Sequence, residues 1–296
     1  MENNNSQEHL WRKWLFFILA LGWSWLFWIP LIFLKLVFNT MPGVILYSIG
    51  GLGPVLSAIY LVRTILPKDA QREFWRRVID YKRVPWRWFL AALFIPLLIA
   101  IFSVLVSRFI STEYTKWQPL WLVIQSPVMF FFFLVSTLLF GPLPEEIGWR
   151  GYGLESLQTK YSALQSSLIV GFFWATWHIP LFLTKDSAFA AAYPLFSPGF
   201  WLWGISLLSI SIIMTWIFNH TEKSTLTAIL FHFSMSATSG FFSFQSQMQS
   251  IMLCGFVLFA LFVLVVSGLS LSPKSTRSVE NKQLSTTPYG DDNVND

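Results

Sequence analysis

The chain has 296 residues, 54% of them hydrophobic and only 12% charged, with 16 Trp and 30 Phe. A soluble domain of this length needs far more polar surface, so the composition excludes a soluble globular enzyme and predicts an all-α, polytopic membrane bundle. The net charge of +5 is spread between apolar runs, which argues for basic loops rather than nucleic-acid binding, and the single Cys254 leaves no internal disulfide and no zinc-finger spacing.

A helix of about 20 apolar residues crosses the ~30 Å hydrocarbon core of a bilayer. Eight runs qualify, at about 14–36, 43–66, 87–110, 121–141, 163–183, 200–218, 224–243 and 250–271. They predict about eight transmembrane helices in one domain, residues 14–271, whose motif-bearing core is 120–240. Residues 1–13 form a cytoplasmic N-terminus with no cleavable signal character. Residues 272–296 are polar and read as a disordered cytoplasmic tail. No internal repeat is present.

Orientation follows from Lys and Arg in the loops. With both termini inside, the inner segments carry Arg12 and Lys13, the eight cations from Arg63 to Arg87, Arg150 and Lys160, Lys223, and Lys274, Arg277 and Lys282. The outside keeps Lys35, Arg108, Lys116 and Lys185. Sixteen against four sets both termini in the cytoplasm, with the plasma membrane as the expected location. The loop 71–88 mixes Phe74, Trp75, Val78 and Ile79 with basic residues and predicts a helix lying on the inner leaflet surface. Trp11, Trp14, Trp86 and Trp88 read as interfacial anchors.

The fourth run ends in Gly141-Pro142-Leu143-Pro144-Glu145-Glu146-Ile147-Gly148-Trp149-Arg150-Gly151. Two adjacent carboxylates and a guanidinium in a hydrocarbon-rich chain are expensive unless partnered and used. The prolines break the span and suit the first turn of a new helix, where the dipole favours acids. Glu146 and Arg150 are four apart, acid first, the better order for an ion pair. Glu145 sits about 100° around the helix from Glu146 and so points elsewhere. Downstream, polar turn material at 156–162 predicts a helical hairpin. Glu145 and His178 are equidistant from its centre, so the spacing sets a carboxylate level with an imidazole. Trp174 precedes His178 by four and packs on it, and Pro180 bends the helix just beyond. His232 and Ser236, again four apart, share a face. An acid beside an imidazole can activate a water, and a second imidazole with a hydroxyl can stabilise the oxyanion formed when that water attacks a carbonyl.

Glu145-Glu146-x-x-x-Arg150, Trp174-x-x-x-His178 and His232-x-x-x-Ser236 resemble the three motifs of the CPBP (CAAX protease and bacteriocin-processing, or Abi) intramembrane protease family. Gly50-Gly51-Leu52-Gly53-Pro54 is similar to that family's early glycine-proline segment. The resemblance implies an eight-helix protease related to the type II CAAX prenyl endopeptidases. It implies Glu145 as the water-activating base with His178 as partner, Glu146 and Arg150 in support, and His232 at the oxyanion. It departs from the family in carrying Trp174 where Phe is usual, and Ser236 where Asn is usual. Ser offers one donor where the amide offers two, and one lost oxyanion donor can cost on the order of 10²–10³ in rate.

The expected function is therefore intramembrane hydrolysis of a peptide bond in a membrane-anchored peptide or protein, lipidated proteins included. The expected partners are that substrate and the bilayer, with no nucleic acid. No metal is required in this reading; if zinc is used, the ligands are Glu145, His178 and His232. The alternative is a non-catalytic binding or bacteriocin-immunity protein on the same scaffold, which the Ser236 departure favours. A transporter ranks last, because the first three spans offer almost no polar path.

Overall fold

Several helices start where a hydroxyl precedes a proline or a good N-terminal turn. Ser126 before Pro127, and Ser197 before Pro198, each accept a hydrogen bond from the backbone three residues on. Ser162 and Gln165 form a complete capping box. Each cap satisfies donors that a membrane-embedded helix end would otherwise leave bare.

The computed structural model describes residues 2–37, 40–110, 125–184, 187–241 and 246–272, and the side chains of these except 2–12 and 246. The expected tail at 273–296, Lys116, Lys185 and the side chains of Trp11 and Arg12 lie outside the described residues. All regular structure among the described residues is helical, so the chain is a polytopic helical membrane bundle. Among the described residues six helices are long and apolar enough to cross a membrane: Lys13–Phe33, Met41–Ile65, Trp86–Ile110, Pro127–Gln158, Pro198–Asn219 and Gln247–Ser267. Two of the eight expected runs fall short. The run 163–183 is a 15-residue helix, Ala163–Trp177, interrupted at His178 and resumed as Ile179–Phe182. The run 224–243 is a 17-residue helix, Thr225–Phe241. The shortening has a local cause in the first case: Pro180 has no N–H to continue the ladder.

Pro198–Asn219 is the most enclosed span, 61% buried. It packs against Ser246–Ser267 and Ala163–Trp177. Ser211 Oγ donates to the Ser167 carbonyl across the second contact at 2.8 Å. Small hydroxyl residues let helices approach and hydrogen-bond where lipid supplies no partner. Thr225–Phe241 packs on Trp86–Ile110.

One end of the bundle gathers the segments expected on the inner side. Lys13 Nζ donates to Thr159 Oγ1 at 2.5 Å. Arg77 pairs with Glu155, Lys223 lies 3.8 Å from Glu155, and Arg83 donates to the Glu222 carbonyl. Arg150 is not a loop cation: its side chain is fully buried inside the bundle. The amphipathic segment is a helix, Lys68–Ile79, followed by a 3₁₀ turn at Tyr81–Arg83. A hydrogen bond from Arg83 holds the Glu73 carboxyl below its ordinary range. A depressed carboxylate contributes stability above its unfolded pKa and loses it as pH falls through the folded one. The Arg83–Glu73 tie is thus intact at neutral pH and released in acid.

The early glycine-proline segment also gains a physical reason. A Cβ at Gly148 would stand 2.5–2.6 Å from the Cβ and backbone of Pro54. Gly148 therefore lets the acid-bearing segment lie directly on Gly53–Ile65. The Gly148→Ala variant should lose about 1–3 kcal/mol, because backbone cannot yield as a side-chain tip can. A lowered unfolding midpoint in detergent checks this.

Candidate active site

The acids sit where a short helix changes its winding. Pro142–Glu146 is one α-turn with proline at its start, and Ile147–Leu154 continues it as a π-helix. Such wide turns are rare and cluster at functional sites. Nothing in composition marks this one, and residue spacing alone implies ordinary α-geometry here.

Glu146 and Arg150 form the expected pair. Arg150 Nη1 donates to both carboxylate oxygens, at 3.0 and 2.9 Å, with both side chains wholly buried. A third partner arrives that sequence spacing could not show. His232 Nδ1 donates to Glu146 Oε1 at 2.7 Å. The guanidinium also lies over the Trp174 ring, 4.4 Å from its centroid, a desolvated cation–π contact. Arg150 Nε and Nη2 and Trp149 Nε1 have no hydrogen-bond partner among the described residues.

Glu145 points away from Arg150, as its position on the helix demands. Its Oε2 accepts from Trp174 Nε1 at 2.6 Å. Its Oε1 faces Gly141, which has no side chain to crowd it. No direct hydrogen bond joins Glu145 to His178 among the described residues. Trp174 connects them instead: its indole N–H serves Glu145, and its backbone carbonyl accepts from His178 Nδ1 at 2.7 Å. The level hairpin presumed two regular α-arms. The real arms are a π-segment, which advances less per residue, and a helix that stops at Trp177.

His178, His232, Ser236 and Trp174 line one cavity of about 350 Å³. Its remaining walls are mainly apolar, with Trp203, Met252 and Phe256 among them. Carbonyl and carboxylate oxygens only accept, so each imidazole carries its hydrogen on Nδ1. Nε2 of both rings is then the nitrogen without a hydrogen-bond partner among the described residues. The edge of Trp174 meets His232 at 5.2 Å between centroids, and Trp177 stands against His178 at 4.7 Å. The rings are thereby fixed in orientation. Ser236 shares the His232 face as expected, and its hydroxyl has no partner among the described residues. Ser239 lines the same cavity but donates to the Met235 carbonyl, and Ser234 turns away to Leu93. Glu145 is not part of the cavity lining; Trp174 stands in both surroundings. His220 lies apart from the site, packed on Trp88 with its Nδ1 on the Trp216 carbonyl.

A larger cavity, about 510 Å³, lies at the basic end between Lys13, Phe74, Arg77 and Tyr152. It contains no imidazole, and its Arg77 and Glu155 are paired with each other. The two imidazoles and the Ser236 hydroxyl line the smaller cavity instead. No three His, Cys, Asp or Glu side chains come together as a metal-ligand group among the described residues. Glu145, His178 and His232 do not form the set a zinc ion needs, since the acid is bound to Trp174 outside the cavity that the two rings line.

Residues 127–238 match the family model "Type II CAAX prenyl endopeptidase Rce1-like". The chain is also 38% identical over 110 residues to "CAAX prenyl protease 2" of Methanococcus maripaludis, covering 36% of this chain and 37% of that protein. The match thus spans little more than a third of either protein. The family-model match runs from the start of the helix that precedes the acids to just beyond Ser236, so it includes every motif gathered around the cavity. Over that stretch the chain is similar to the Rce1-like type II CAAX prenyl endopeptidases.

Proposed function

We propose that the chain is an intramembrane endopeptidase acting on a membrane-anchored peptide or protein, with lipidated proteins in its substrate class. Glu145 takes the proton from the attacking water, with His178 as its partner, and His232 and Ser236 hydrogen-bond the developing oxyanion. The observation that carries this reading is the cavity in which two imidazoles, oriented through Nδ1, and an unpartnered hydroxyl meet. Glu145 keeps Oε1 beside Gly141 while Trp174 holds Oε2, so one oxygen remains for the proton. In this reading the enzyme is of the glutamate type, and both termini and the basic end face the cytoplasm.

The test is turnover of membrane-anchored peptides by the protein reconstituted in liposomes. Removing the Ser236 hydroxyl in Ser236→Ala should lower kcat by on the order of 10² with KM nearly unchanged, since an oxyanion donor acts in the transition state. Ser236→Asn should retain or exceed the wild-type rate. A KM effect alone would move Ser236 out of the oxyanion site.

One observation favours the second reading, a non-catalytic binding or immunity protein: Glu145 is separated from the cavity lining by Trp174. In that case biological activity survives His178→Ala, and no variant at Glu145 changes it.

A further inference from the structure

We propose that the outward face of the helix Lys68–Ile79 is a binding surface for anionic phospholipid headgroups of the leaflet at the basic end. The helix is pinned to that leaflet at both ends. The span Met41–Ile65 ends three residues before Lys68, and the span Trp86–Ile110 begins seven residues after Ile79. Twelve residues of helix are about 18 Å long, so an element tied at each end to a membrane boundary lies along the surface rather than across it.

Its two faces are chemically different. The inner face carries Phe74, Val78 and Arg77, all buried. Phe74 sits against Gly151, where a Cβ would approach its ring to 3.3 Å, and Arg77 pairs with Glu155. The opposite face carries Lys68, Arg72, Trp75, Arg76 and Ile79, which fall within an arc of roughly 100° at α-helical spacing. Ile79 is 72% exposed and Trp75 37%. Tyr81 and Trp86, also exposed, continue this apolar edge to the start of the next span.

A solvated helix has no use for exposed Trp and Ile between three cations. A headgroup layer does: the rings and aliphatic chain enter the boundary, and the cations meet phosphate. The acids nearby do not neutralise the face. Arg72 pairs with Asp69 at 3.2 Å and Arg76 with Asp80 at 3.7 Å, but the arginine side chains are 79% and 66% exposed. Such exposed pairs hold little energy and exchange readily for a phosphate partner.

The experiment uses the full chain in nanodiscs of phosphatidylcholine doped with phosphatidylglycerol. Anionic lipid retained after detergent transfer is counted by native mass spectrometry. The wild type should retain phosphatidylglycerol over phosphatidylcholine, and high salt should weaken the preference. The Lys68→Gln/Arg72→Gln/Arg76→Gln variant should lose about fivefold in anionic-lipid affinity per charge removed, at roughly 1 kcal/mol each. Arg108→Gln, at the opposite end of its span, is the control and should leave retention unchanged. Circular dichroism confirms that the variants fold. Equal retention by wild type and triple variant, or equal loss in Arg108→Gln, overturns the proposal. Neither outcome bears on whether the protein is a peptidase.

Discussion

Glu145→Gln is expected to abolish peptide-bond cleavage while leaving the fold intact. Glutamine keeps the shape, and its carbonyl can still accept from Trp174 Nε1, so the contact at 2.6 Å survives. What is lost is the basicity. General base catalysis contributes on the order of 10²–10⁴ in rate, and no second free carboxylate stands by, because Glu146 is committed to Arg150 and His232. Turnover in proteoliposomes, measured beside the unfolding midpoint, separates the two effects. A variant that cuts at the wild-type rate would remove Glu145 from the reaction.

Arg150→Ala is expected to act in the opposite way, through stability. It strands Glu146, wholly buried, with His232 as its remaining partner among the described residues. Leaving one member of a buried pair uncompensated costs about 3–5 kcal/mol. The loss also removes the cation from the Trp174 face. The double variant Glu146→Leu/Arg150→Met should recover much of that stability, since apolar replacements of a buried pair are often neutral or better. It should still fail to cleave, because His232 loses the carboxylate that fixes its Nδ1. Thermal unfolding and turnover measured on the same preparations check both halves. An Arg150→Ala protein as stable as the wild type would contradict the buried network.

What could be read from the sequence was what depends on neighbours in the chain. Glu146 and Arg150 are four apart, as are His232 and Ser236, and helical geometry alone brings each pair to one face. The membrane class followed from composition, because nothing else explains so few charges. What stayed hidden depends on distant segments meeting. His232 is 86 positions from Glu146, and only the packing of Thr225–Phe241 against the acid-bearing turn unites them. Trp174 was expected to pack on His178; its central role, with ring, N–H and carbonyl serving four partners, is a property of the assembled site. Gly148 shows the same limit. A glycine in the motif reads as a helix weakness until Pro54 is found against it. The count of spans differed for a physical reason too. The helices Ala163–Trp177 and Thr225–Phe241, which bring Trp174, His232 and Ser236 to the cavity, are the two too short to qualify as spans.

In the proposed function two fixed imidazoles and a buried acid hydrolyse a peptide bond within the membrane. Its most direct measurement compares the membrane proteomes of cells producing the wild type and cells producing Glu145→Gln at equal abundance, searching for new chain termini. At least one terminus near a membrane boundary should be present with the wild type and absent with the variant. Identical sets of termini in the two membranes would contradict it.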